Sequence, residues 1–88
     1  MSIYEKNADF LKILANPTRI KIIEVLITRG TCNVKELVDI LNIPQSTVSQ
    51  HLAKMKSQKI VTNNRQGLEV YYSAQKSKVI PIVEILLD

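Results

Sequence analysis

The sequence predicts a mainly α-helical domain carrying one β-hairpin, in the order ααααββα. Three observations support this. Aliphatic residues recur at helical spacing over the first two thirds of the chain. Asparagine-based signals (Asn16-Pro17, Asn33 with Glu36, Asn42-Ile43-Pro44) restart the helix three times. After Lys59 the pattern changes to one that favours strands.

The elements follow in order. Ile3, Phe10, Leu11, Ile13 and Leu14 place a first helix over Ile3 to Leu14. Asn16 suits the N-cap and Pro17 the first position of a second helix through Arg29, and Gly30 suits its end. That helix is apolar on most sides, as a central buried helix must be. Asn33 and Glu36 form a capping-box pattern ahead of Val34, Leu37, Val38 and Leu41, a short amphipathic helix. Asn42-Ile43-Pro44 breaks it, and a fourth helix runs from Pro44 to Ser57. Ile60 to Asn64 and Leu68 to Ser73 read as strands, joined by a polar tip, Asn63 to Gly67, that holds the glycine a hairpin needs. Ser77 is placed to cap a last helix through Leu87. Two short helices meeting at a tight turn, followed by a hairpin, make a winged helix-turn-helix.

Length and composition narrow the class. The 88 residues allow one domain, 1–88, and a chain of this size buries only about 60% of its unfolded surface, which favours an oligomer. One cysteine rules out an internal disulfide and suits a reducing compartment; no run is long and apolar enough to span a bilayer. The first residues lack the pattern of a secretory leader, so a cytoplasmic protein is expected. The net charge of +4 is unevenly spread: Pro44 to Lys78 carries six bases against Glu69 alone, whereas Val79 to Asp88 carries only Glu84 and Asp88. A polyanion is the natural partner of so basic a segment.

The fourth helix sharpens this. Val48, Leu52 and Met55 share one narrow stripe, and the opposite side holds Ser46, Gln50, Ala53, Lys54 and Ser57, without a single acid. Gln can bond adenine in bidentate fashion, and Ser or Thr reach bases or phosphates from the first turns of a helix in the major groove. The candidate contacts with double-stranded DNA are Gln45, Ser46, Thr47, Ser49, Gln50, His51 and Lys54 on this helix. Asn64, Arg65, Gln66 and Gly67 stand at the polar tip of the hairpin that follows.

Three stretches then carry a resemblance: Asn16-Pro17-Thr18-Arg19-Ile20-Lys21-Ile22-Ile23, Leu41-Asn42-Ile43-Pro44-Gln45-Ser46-Thr47-Val48-Ser49-Gln50-His51-Leu52, and Arg65-Gln66-Gly67-Leu68-Glu69-Val70-Tyr71-Tyr72. Together they resemble the ArsR/SmtB family of dimeric winged-helix repressors over nearly the whole chain. The resemblance implies base reading by Gln45, Ser46, Ser49 and Gln50, and a wing that follows the backbone or minor groove through Arg65, Gln66 and Gly67. Many members of that family sense metals. The positions of their Cys-x-Cys pair hold Asn33 and Lys35 here, Cys32 is one place out of register, and Gln75 to Asp88 contains no His. With one Cys and one His, a metal site within one protomer is not expected, and the chain is most like members without one.

The last helix, with seven aliphatic residues among Val79 to Leu87, is apolar nearly all round and needs a second surface to cover. A homodimer is expected through Ile3, Tyr4, Phe10 and Leu14 of the first helix and Ile80, Val83, Leu86 and Leu87 of the last. The leading reading is a repressor binding an inverted-repeat operator, with no cofactor and no catalytic site. Two other readings stand beside it: a winged-helix module for protein partners, and a redox-responsive repressor using Cys32.

Overall fold

The computed structural model describes residues 2–88 and runs α1 (Ile3–Leu14), α2 (Pro17–Arg29), α3 (Val34–Leu41), α4 (Gln45–Ser57), β1 (Val61–Gln66), β2 (Glu69–Ala74), α5 (Val79–Leu87). The first three helices start where short polar side chains take up orphan backbone donors. Ser2 and Glu5 form a reciprocal capping box on α1. Asn16 Oδ1 accepts from the Arg19 N–H at 3.1 Å, with Pro17 in the first turn. Asn33 Oδ1 accepts from the Glu36 N–H at 2.8 Å while Glu36 Oε1 accepts from the Asn33 N–H at 2.9 Å.

The core gathers around α2. Its Ile22, Ile23 and Leu26 are buried against Leu37 of α3, Val48, Leu52 and Met55 of α4, Ile60, Val61 and Ala74 at the hairpin base, and Val79 and Val83 of α5. Each of these side chains except Ala74 contributes about 1.5–3 kcal/mol relative to leaving it exposed. No polar side chain is buried among the described residues.

Three expectations are corrected. The hairpin is longer and its tip shorter: Gln66 pairs with Glu69, so Asn63, Asn64 and Arg65 lie in the ladder opposite Tyr72, Tyr71 and Val70. Only Gly67 and Leu68 turn the chain, and Gly67, at φ 64, is the only one of the two at positive φ, as a type II′ turn requires. Second, Ser77 does not cap α5. Gln75 Oε1 accepts from the Lys78 and Val79 N–H groups at 2.9 and 3.2 Å. Third, Leu14 and Val83, expected at the dimer face, are enclosed within the protomer, because α1 and α5 turn those residues toward α2 and α4.

Candidate nucleic-acid interface

The turn between α3 and α4 sets the angle of the outer helix. Asn42 ends α3 in the left-handed conformation, φ 56 and ψ 44, and its N–H donates to the Val38 carbonyl at 2.8 Å. Ile43 is half-buried against the core and Pro44 starts α4. Val48, Leu52 and Met55 then clamp α4 down on one side. Gln45, Ser46, Ser49, Gln50, Ala53 and Lys54 are exposed on the other, and Thr47 and His51 lie half-buried between. No side chain caps α4, so its first N–H groups face outward unpaired by side chains.

His51 is committed inward. Its Nδ1 accepts from Arg19 Nε at 3.0 Å, and Arg19 Nη1 donates to the Ile13 carbonyl at 2.9 Å, so one guanidinium ties α1, α2 and α4 together. A ring that accepts at Nδ1 is neutral and carries its proton on Nε2. Burial, and then the charges of Arg19 and Lys54, hold its pKa below the ordinary value.

The wing stands beside the start of α4. Asn33, Val34, Lys35 and Val38 of the α3 region line a cleft with Gln45 and with Glu69 and Val70 of β2. Within it Asn33 Nδ2 donates to Glu69 Oε2 at 3.4 Å, turning the one acid of the basic segment toward α3. Thr62 to Gln66 are exposed along β1, so the hairpin projects from its buried base at Val61 and Ala74. At the tip Arg65 Nε donates to the Gly67 carbonyl at 3.2 Å, which folds the guanidinium over the turn. Asn64, Arg65, Gln66 and Gly67 thus lie together at the hairpin's outer end, and Glu69 and Val70, the cross-strand partners of Gln66 and Arg65, share the cleft with Gln45.

Cys32 sits under the wing. It is fully buried, and its N–H and carbonyl exchange hydrogen bonds with Tyr72 at 3.1 and 2.8 Å, a one-residue third strand. Burial, then the Glu36 charge, pushes the thiol pKa up against a smaller opposing effect of Arg29. A neutral, enclosed thiol is a poor nucleophile. Among the described residues no three of His, Cys, Asp and Glu come together. Asn33 is engaged as a helix cap and Lys35 is an exposed amine, a donor pair that does not fit a transition metal.

Residues 16–63 match the family model described as bacterial regulatory protein, arsR family. The chain belongs to the arsR family. It is 48% identical over 82 residues to the transcriptional repressor PagR of Bacillus anthracis, covering 93% of this chain and 82% of that one. The crystal structure of that repressor matches with a TM-score of 0.88 at 46% identity, covering 94% of each chain. The crystal structure of NolR from Sinorhizobium fredii matches with a TM-score of 0.85 at 34% identity, covering 94% of this chain and 82% of that one. As an arsR-family member with the winged helix-turn-helix fold, the chain is a DNA-binding transcriptional regulator. The matched arsR segment spans α2, α3 and α4 and reaches Asn63 in β1, leaving the wing tip and the terminal helices outside it.

Sequence reasoning missed three features of this region. The Arg19–His51 pair joins residues 32 apart in the chain, and no local signal announces it. The Cys32–Tyr72 bridge is equally non-local. Leu11 and Ile85, both exposed, extend the apolar surface of α1 and α5 beyond the residues first chosen; the helical spacing of both was readable.

Proposed function

We propose that the chain represses transcription as a homodimer, each copy laying α4 in a major groove and its wing along the neighbouring backbone or minor groove. The observation that carries the reading is the exposed, acid-free face of α4 beside a projecting polar hairpin that carries Arg65 at its tip. Lys54, Lys56 and Arg65 supply phosphate attraction, which dominates affinity and falls with salt. Gln45, Ser46, Ser49 and Gln50 present short donors and acceptors to base edges. Thr47 and His51, half-buried, support the helix and reach only its margin.

Ile3, Tyr4, Leu11, Ile85, Leu86 and Leu87 leave the two terminal helices with large exposed apolar side chains. A second copy covering them supports a two-fold dimer, with Phe10 and Ile80 at its edge. Two-fold symmetry calls for an inverted repeat with half-sites about 34–36 Å apart. Occupancy of such a site blocks polymerase, and release follows protein concentration without a metal signal.

Sedimentation and fluorescence anisotropy on a duplex from the gene's own promoter test this. The expected result is a species of twice the 10.0 kDa chain mass that binds the promoter in preference to shuffled DNA. A 10.0 kDa species with no such preference would overturn it.

A further inference from the structure

Most of the large exposed hydrophobic side chains belong to α1 and α5; Leu68 is the one carried by the hairpin and, at 93% exposure, the most exposed of them. It occupies the second central position of the two-residue turn, where small polar residues are the ordinary choice and no packing calls for an apolar one. Val70, Tyr71 and Tyr72 of β2 are half-buried, Tyr72 against the core. Beside Leu68, the Arg65 guanidinium is folded over the turn by its bond to the Gly67 carbonyl. The tip therefore offers one free aliphatic side chain and one pre-positioned cation on a narrow ribbon.

We infer that Leu68 seats in the minor groove flanking each half-site and makes the protein select A·T pairs there. The inference rests on the DNA-binding reading above and names a specificity that α4 does not supply. The minor groove is about 6 Å wide, enough for a single side chain on a two-residue turn. A·T stretches narrow it further, bringing its walls closer to the leucyl methyl groups. Leu68 packs on the sugar walls and on a floor that displays only adenine N3 and thymine O2. A guanine places its N2 amino group in that floor; it takes up the space of the methyl groups and finds no acceptor on leucine.

Duplexes selected by the full chain from a random pool provide the probe, with the flanking pairs rebuilt as A·T, G·C or inosine·cytosine. Inosine keeps guanine's major-groove edge and lacks the N2 amino group. The wild type is expected to bind A·T and inosine·cytosine flanks equally and G·C flanks about fivefold more weakly, what burying part of a leucine side chain is worth. Leu68→Ala is expected to bind all three alike, with an unchanged melting temperature and salt slope, and Leu68→Met to keep the discrimination. Inosine·cytosine flanks behaving like G·C, or Leu68→Ala retaining the preference, would overturn the inference while leaving the base-reading role of α4 intact. Selection that yields no inverted repeat at all would overturn the DNA reading itself, and this inference with it.

Discussion

Helices α4 and α5 are anchored alike and finished differently. Each is held by a few buried residues, Val48, Leu52 and Met55 in one and Val79 and Val83 in the other, and neither is capped by the side chain of the residue before it. What each leaves outside is opposite in kind. The outer face of α4 is amides, hydroxyls and a lysine, which water solvates at no cost. The outer face of α5 is Ile85, Leu86 and Leu87, which water does not. The same local architecture thus carries two surfaces, one suited to a polyanion and one suited to an apolar partner surface.

Breaking the α5 surface carries the largest expected effect. Leu86→Asp places a charge on an already exposed position, so helical circular dichroism should persist while the sedimenting mass halves. Operator affinity should then fall by about 10²–10⁴, because the two half-sites lose their linkage. An unchanged mass would remove the contrast between the helices. Next comes the buried side of α4: Leu52→Ala, at a site 1% exposed, should cost about 2–5 kcal/mol in urea unfolding, a large share of the stability of so small a domain.

The exposed side of α4 should respond in the reverse way. Gln50→Ala should leave unfolding unaffected and reduce discrimination at one base step by about 1–3 kcal/mol, read by competition among operator variants. Lys54→Ala should weaken binding to every duplex and reduce the log–log salt slope by about 0.9 per protomer. The smallest effect concerns pH. His51 has a folded-state pKa below its ordinary 6.5, so the folded protein holds fewer protons than the unfolded chain. The stability this contributes is complete above that value and is lost as pH falls through the folded-state pKa. Thermal unfolding between about pH 7.5 and pH 5.5 should show the decline, and His51→Gln, which offers Arg19 a non-titrating acceptor, should flatten it.

Helix positions were legible because their signals are local. Asn16 before Pro17, the Asn33–Glu36 box and Gly30 each act within four residues of the boundary they set. The wing was less so: Asn63, Asn64, Arg65 and Gln66 look like a loop by polarity. A strand exposed on both faces, as β1 is beyond Val61, is polar, and only pairing with Tyr72, Tyr71, Val70 and Glu69 makes these residues strand. The apolar run in α5 forecast an uncovered surface, but a helix apolar all round cannot reveal by period which side meets its own core. Val83 therefore went inward while Ile85 stayed out. The acid-free face of α4 was read correctly in composition and exposure, whereas the Arg19 bond that turns His51 away from that face depended on tertiary packing.

The bridge between Cys32 and Tyr72 gives the hairpin a clock. Both backbone N–H groups are bonded across this latch, and the Cys32 sulfur is buried beside it. Deuterium uptake at the two amides and labelling of the thiol should therefore report one shared opening rate. Tyr72 lies beside Asn63, which precedes the tip by only four residues. Movement of the whole wing away from α3 therefore requires these two hydrogen bonds to break, along with the Asn33–Glu69 contact nearer the tip.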